Sequence, residues 1–194
     1  MRDPAAAADA HLADSLAGLE VSELRGAARI ADVGAGAGFP GLPLAVALPA
    51  AQVDLIESAR RKCELIDRLA AAARTPNARA VPTRAEEWAA AEGREAYDAV
   101  TARAVAPLAV LAEYAAPLLR VGGVLVAWKG ARDEGEESAG AVAAEMLGME
   151  RAAVTPVEPF EGARSRHLHV FVKRGPTPER FPRRAGMARK RPLA

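Results

Sequence analysis

The segment Ala31-Asp32-Val33-Gly34-Ala35-Gly36-Ala37-Gly38 runs from strand-forming residues into a loop with glycine at every second position. A strand that turns through such a loop into a helix points to an open α/β sheet that binds its ligand beyond the carboxyl ends of the strands. The rest of the sequence alternates accordingly. Residues 29–33 read as the first buried strand, and the short helix after the loop tolerates Pro40 and Pro43 near its start while Leu42, Val46 and Leu48 face inward. Residues 53–57, 78–81, 97–102 and 121–128 read as further strands, the last opening on the Gly122-Gly123 turn. Ser58 reads as the N-cap of a helix reaching Arg74, along which Cys63, Ile66 and Ala70 recur at helical spacing, as do Leu65, Leu69 and Ala72. A helix is expected over 108–119 and an acidic, mostly exposed one over 133–145. Between the strand candidates 152–157 and 167–172 no helical period intervenes, so they form an antiparallel hairpin at the sheet edge.

This predicts one α/β domain over residues 1–173 and an irregular, Pro-rich basic tail over 174–194. The chain has 194 residues, 51% apolar and 26% charged, enough for one sizeable core. From Lys173 onward lie eight of its 26 Lys and Arg but one of its 25 acids, Glu179, so this end carries +7 while the whole chain carries +1. Such asymmetry suggests a polyanionic partner; the alternative is an ordinary solvated terminus. Cys63 is the only cysteine, which excludes an intrachain disulfide and a multi-cysteine zinc site. Asp3, Asp9 and Asp14 exclude a secretory signal from the alanine-rich start. The longest weakly polar run, about residues 37–51, holds three prolines and is too short to span a bilayer, so a soluble, cytoplasmic protein is expected.

Two details of the glycine loop narrow its ligand. In the dinucleotide fingerprint the third glycine falls three places after the second, but position 39 is Phe and the glycines stand at 34, 36 and 38. Asp32 at the mouth of the loop repels a pyrophosphate, whereas S-adenosylmethionine brings a cationic sulfonium and an ammonium group that an acid suits. Glu57, at the end of the second strand, is placed to accept both ribose hydroxyls; a helix-start acid favoured by the macrodipole is the alternative. Arg84-Ala85-Glu86-Glu87 follows the third strand at the same edge, where a backbone amide and a short side chain frame an adenine; by itself it reads as a solvated loop.

At this level of detail the sequence resembles the RsmG (GidB) 16S ribosomal RNA guanine-N7 methyltransferases. The resemblance is carried by His11-Leu12-Ala13-Asp14-Ser15-Leu16, by Asp32 through Pro43, by Arg84-Ala85-Glu86-Glu87, by Thr101-Ala102-Arg103-Ala104 and by Trp128-Lys129-Gly130. Arg166-His167-Leu168 and Phe181-Pro182-Arg183-Arg184-Ala185-Gly186 extend it to the tail. It implies a seven-stranded class I methyltransferase fold, Rossmann-like and mostly parallel with an antiparallel edge hairpin. It also implies S-adenosylmethionine as cofactor and methylation of a guanine N7 in the 530 loop of 16S ribosomal RNA. The cofactor set expected from loop and resemblance together is Asp32, Gly34, Gly36, Gly38, Phe39, Glu57, Ala85, Glu86 and Arg103. Lys129, Arg166, Arg183 and Arg184 are the expected RNA-facing cations, with 16S RNA or the small subunit as partner and a monomer as the working form. Members of the family usually begin with several helices ahead of the His-x-x-Asp-Ser-Leu segment, and this chain begins almost at it.

The chemistry agrees with that implication. Guanine N7 carries an in-plane lone pair and no proton, so its methylation needs alignment and charge stabilisation rather than a general base. No catalytic His or Cys constellation is evident, and Cys63, which a cytosine-C5 mechanism requires as nucleophile, sits mid-helix and away from the ligand edge in this layout. Arg103 is the one catalytic candidate, as a contact to the methionine carboxylate or a platform for the target base; a surface salt bridge is its alternative. His167 and His169 share a strand face without a third ligand, so no metal is expected. Three rival readings remain: a class I methyltransferase for a small molecule, a nicotinamide-dependent oxidoreductase, and a non-catalytic S-adenosylmethionine-binding module.

Overall fold

A computed structural model describes residues 4–194; residues 1–3, and with them Asp3, lie outside the described residues. Seven strands form one sheet: β1 (Arg29–Val33), β2 (Gln52–Ile56), β3 (Ala78–Val81), β4 (Tyr97–Arg103), β5 (Leu119–Lys129), β6 (Met149–Val157) and β7 (Arg166–Lys173). Their order is β3-β2-β1-β4-β5-β7-β6. The first five run parallel, while β7 is antiparallel to both β5 and β6, as the missing crossover helix predicted. After the first residue, β1 and β2 are buried without alternation, the mark of strands covered on both faces.

The helices are α1 (Pro4–Leu16), α2 (Ser22–Arg25), α3 (Gly41–Ala47), α4 (Arg60–Ala73), α5 (Ala85–Ala89), α6 (Leu108–Ala115), α7 (Glu134–Met146) and α8 (Met187–Lys190). Leu24, Leu44 and Ile66, from the helices α2, α3 and α4, pack on one face of the sheet around Ile30, Leu55 and Val126. Ala89, Leu111, Ala144 and Ala188, from α5 to α8, build the other core around Val100, Leu125 and Phe171. Along α4 the row Cys63, Ile66, Ala70 is buried, whereas Leu69 and Ala72 are exposed, so only the first of the two helical rows is a core stripe.

Several expectations need correction. Val46 points outward at 57% exposure, on the face of α3 turned away from the core that Leu42, Leu44 and Ala45 enter. Ser58 does not cap α4: the helix starts at Arg60, and the Ala59 amide donates to Glu57 Oε1 at 2.8 Å. The helix expected to reach residue 119 stops at Ala115, followed by Pro117, which cannot donate in a helix ladder. The tail is not simply irregular. Lys173 is fully buried, its ammonium donating to the Ala116 carbonyl at 2.8 Å and to the Thr177 hydroxyl, and burial holds its pKa down to about 8. Phe181 and Ala188 are core residues. Among the described residues no helix is long and apolar enough to cross a membrane.

Candidate active site

The sheet order reverses between β1 and β4, and there the loops beyond the carboxyl ends of neighbouring strands diverge to leave a crevice. Gly34, Glu57 and Arg103 collect at this edge from β1, β2 and β4. The three loop glycines hold left-handed backbone, with φ of 68°, 60° and 98° at Gly34, Gly36 and Gly38. At Gly34 a side chain would also collide, since a Cβ there would stand 2.8 Å from Val105.

The loop's own hydrogen bonds decide what it holds. The amides of Gly34 and Ala35 donate to the Ile56 carbonyl at 2.8 and 3.2 Å, and those of Gly38 and Phe39 to Ala35 at 2.8 and 3.2 Å. The Gly36 amide donates to Glu57 Oε2 at 3.1 Å. A pyrophosphate site needs such amides turned to the ligand, and here these five are spent on protein oxygens beside a carboxylate. This counts against the nicotinamide reading more strongly than the glycine spacing does, and it fits a cationic, hydroxyl-bearing ligand. Glu57 lines a cavity of about 240 Å³ together with Gly34, Ala85, Glu86 and Arg189. Each oxygen of the Glu57 carboxylate accepts one backbone amide, which leaves acceptor capacity for a ribose.

Asp32 takes a different part from the one expected. It is fully buried, accepting from the Gly41 amide at 2.9 Å and the Thr101 hydroxyl at 3.0 Å. Burial pushes its pKa up to about 7 against the pull of those two bonds and of Arg103. It fastens the start of α3 to β1 and β4, so it acts behind the loop instead of facing a ligand. Cys63 is buried as predicted, but not remote: its thiol donates to the Glu57 carbonyl at 3.1 Å, directly behind the cavity, and burial raises its pKa. Glu86 is also partly committed, its Oε1 accepting from the Gly186 amide of the tail at 2.7 Å.

Arg103 is the best-held cation of the edge. Its Nη1 donates to Asp14 Oδ2 at 2.8 Å, and to Ser15 Oγ and the His11 carbonyl at 3.3 Å each. The guanidinium carbon lies 5.3 Å from the centre of the Phe39 ring, and His11 packs against the same ring at 5.7 Å. Trp128 pins this corner of α1 by donating to the Asp14 carbonyl at 2.7 Å. The sequence alone assigns His11, Asp14 and Ser15 no role. Their i, i+3, i+4 spacing puts them on one helix face, the one sequence signal that could have shown a shared partner.

Arg103 also lines a second cavity, of about 180 Å³, with Asp14, Trp128, Lys129, Arg166 and His167. Of the expected RNA-facing cations, Arg166 and Arg184 are exposed. Lys129 pairs with Glu136. Arg183 instead forms a two-pronged ion pair with the buried Glu113 and donates to the Arg191 carbonyl at 2.8 Å, so it holds the tail. His167 Nδ1 lies 2.9 Å from the Gly130 carbonyl, while His169 is buried with its Nδ1 unpaired and its pKa lowered by burial. Among the described residues no three His, Cys, Asp or Glu are grouped to hold a metal ion.

Comparison with known proteins agrees with this geometry. A family model described as "GidB: rRNA small subunit methyltransferase G" matches residues 1–168. The ribosomal RNA small subunit methyltransferase G of Rubrobacter xylanophilus is 44% identical over 196 residues, covering 99% of this chain and 75% of that protein. That of Deinococcus radiodurans is 43% identical over 187 residues, covering 94% and 73%. Among solved structures, Aeropyrum pernix fibrillarin with bound S-adenosylmethionine superimposes with a TM-score of 0.62 at 20% identity, over 82% of this chain and 73% of that one. A predicted O-methyltransferase from Agrobacterium tumefaciens gives 0.64 at 24%, over 83% and 80%. These two establish the fold, and the relatives establish more: with the family model over residues 1–168 and 44% identity along nearly the whole sequence, the chain is an S-adenosylmethionine-dependent class I methyltransferase and belongs to the ribosomal RNA small subunit methyltransferase G family.

Proposed function

We propose that the protein methylates N7 of a guanine in the 530 loop of 16S ribosomal RNA, acting as a cytoplasmic monomer on the small ribosomal subunit or its RNA. The observation that carries this reading is the placement of Arg103. It lines the second cavity, beside Trp128, Lys129 and Arg166, and lies across the Phe39 ring at the end of the glycine loop.

The bound cofactor supplies an electrophilic methyl group, and the protein has only to present a purine nitrogen in line with it. Glu57 orients the ribose, Ala85 borders the adenine, and Glu86 helps from behind by holding the tail. Gly34, Gly36 and Gly38 shape the loop, with Phe39 at its end and Asp32 beneath it. Arg103, immobilised by Asp14 and Ser15, gives a planar cation against which a guanine or the methionine carboxylate is set. Trp128 and His167 flank the cavity but no proton need leave N7, so neither is asked to act as a base. Lys129, Arg166 and Arg184 attract phosphates and give salt-sensitive affinity without reading sequence.

Incubating unmethylated small subunits with labelled S-adenosylmethionine and the protein, then mapping the modified nucleotide, tests the proposal. One N7-methylguanine in the 530 loop is the expected product. Label on another nucleotide, on a small molecule or on protein overturns the substrate assignment.

A further inference from the structure

The basic tail does more than add charge. It leaves β7 through the buried Lys173 and Thr177, places Phe181 in the core, and is tied to α6 where Arg183 pairs with Glu113, 1% exposed. Arg94 donates to the Phe181 carbonyl at 3.2 Å and adds a second tie. From there the chain crosses to the carboxyl edge of the sheet, where the Gly186 amide donates to Glu86 Oε1. One turn further, Arg189 Nη2 donates to the Val105 carbonyl at 2.8 Å, beside the Tyr114 hydroxyl. Val105 is the residue that closes over Gly34, and Val105, Tyr114 and Arg189 all line the cavity that holds Glu57 and Glu86.

We infer that Arg189 is a residue of the cofactor site, carried into the wall of its cavity by the docked tail, so that donor binding and tail docking support each other. The inference rests on the reading of this cavity as the cofactor's. A guanidinium in its wall offers planar N–H donors to ring-nitrogen and hydroxyl acceptors and a cationic face to a purine. Glu86 then contributes indirectly: its carboxylate fixes Gly186, and with it the path of the tail toward the cavity. Arg189 itself is exposed, and its guanidinium holds a loop carbonyl and the Tyr114 hydroxyl at the cavity rim, so its loss opens no void in the core. Because coupling is reciprocal, a ligand that needs the docked tail must also hold the tail down.

The test measures both directions with S-adenosylhomocysteine as the probe. In calorimetry, Arg189→Ala should weaken its binding about tenfold, while the urea midpoint of the ligand-free protein stays at the wild-type value. In limited trypsin digestion of the wild type, saturating probe should slow cleavage after Arg184 and Lys190 several-fold and leave cleavage after the exposed Arg164, in the β6–β7 connection, unchanged. Binding by Arg189→Ala within twofold of wild type, or tail cleavage indifferent to the probe, overturns the inference alone. A wild-type protein that takes up no probe overturns the cofactor reading of the cavity as well.

Discussion

Arg103 shows how much a single side chain depends on residues far away in sequence. Its neighbours in the chain give it only a place at the end of β4; its orientation comes from Asp14 and Ser15, 89 and 88 positions earlier. Position at a strand end is legible in a sequence, whereas a partner on another element is not, so the arginine was found and its holders went unassigned. Asp32 illustrates the converse. Its type and spacing marked it as important, but along a strand buried on both faces nothing in the pattern tells a carboxylate turned toward a ligand from one turned inward to Gly41 and Thr101. Arg103→Ala should lower the rate of methyl transfer at least about hundredfold, since alignment is the main catalytic contribution. Asp14→Asn, which keeps the Ser15 and His11 contacts, should lose about tenfold. Single-turnover rates on small subunits check both, and an Arg103→Ala enzyme of full activity contradicts the role given to it.

Among the elements, those with strong periodic signals were read correctly: the five parallel strands, the edge hairpin, and the buried stripe of α4 through Cys63, Ile66 and Ala70. Helix ends were less legible because capping is a contest between neighbours. At α4 the Glu57 carboxylate takes the Ala59 amide, so Ser58 has no part as a cap. The tail's order is hidden in the sequence for a clearer reason. Its proline and arginine content is that of a solvated segment, but Phe181 fills a core site, and Arg183 answers a buried acid that lies in α6. Removing one partner of a buried ion pair strands the other charge. Arg183→Met should therefore destabilise the protein by about 3–5 kcal/mol, and adding Glu113→Gln should restore much of the loss. Urea unfolding of the two variants measures this. A single variant as stable as the wild type would return Arg183 to the surface cations.

Across the whole molecule, the sheet edge between β1 and β4 gathers the glycine loop, the braced carboxylate and the held arginine, while the basic residues are divided between two tasks. Arg183 and Lys173 fasten the tail internally, whereas Arg166, at the rim of the second cavity, and Arg184 remain exposed. Formal charge counts the two groups alike, which is why the sequence marked a basic end without separating anchors from docking cations. With the amides of Gly34, Ala35, Gly36, Gly38 and Phe39 given to protein oxygens, the crevice takes a cationic methyl donor and refuses a pyrophosphate. Calorimetric titration of the protein with S-adenosylmethionine and, separately, with a nicotinamide dinucleotide tests that claim most directly. Saturable one-site heat is expected with the first and none with the second; tight uptake of the dinucleotide, with no response to the methyl donor, would contradict this assignment of the loop.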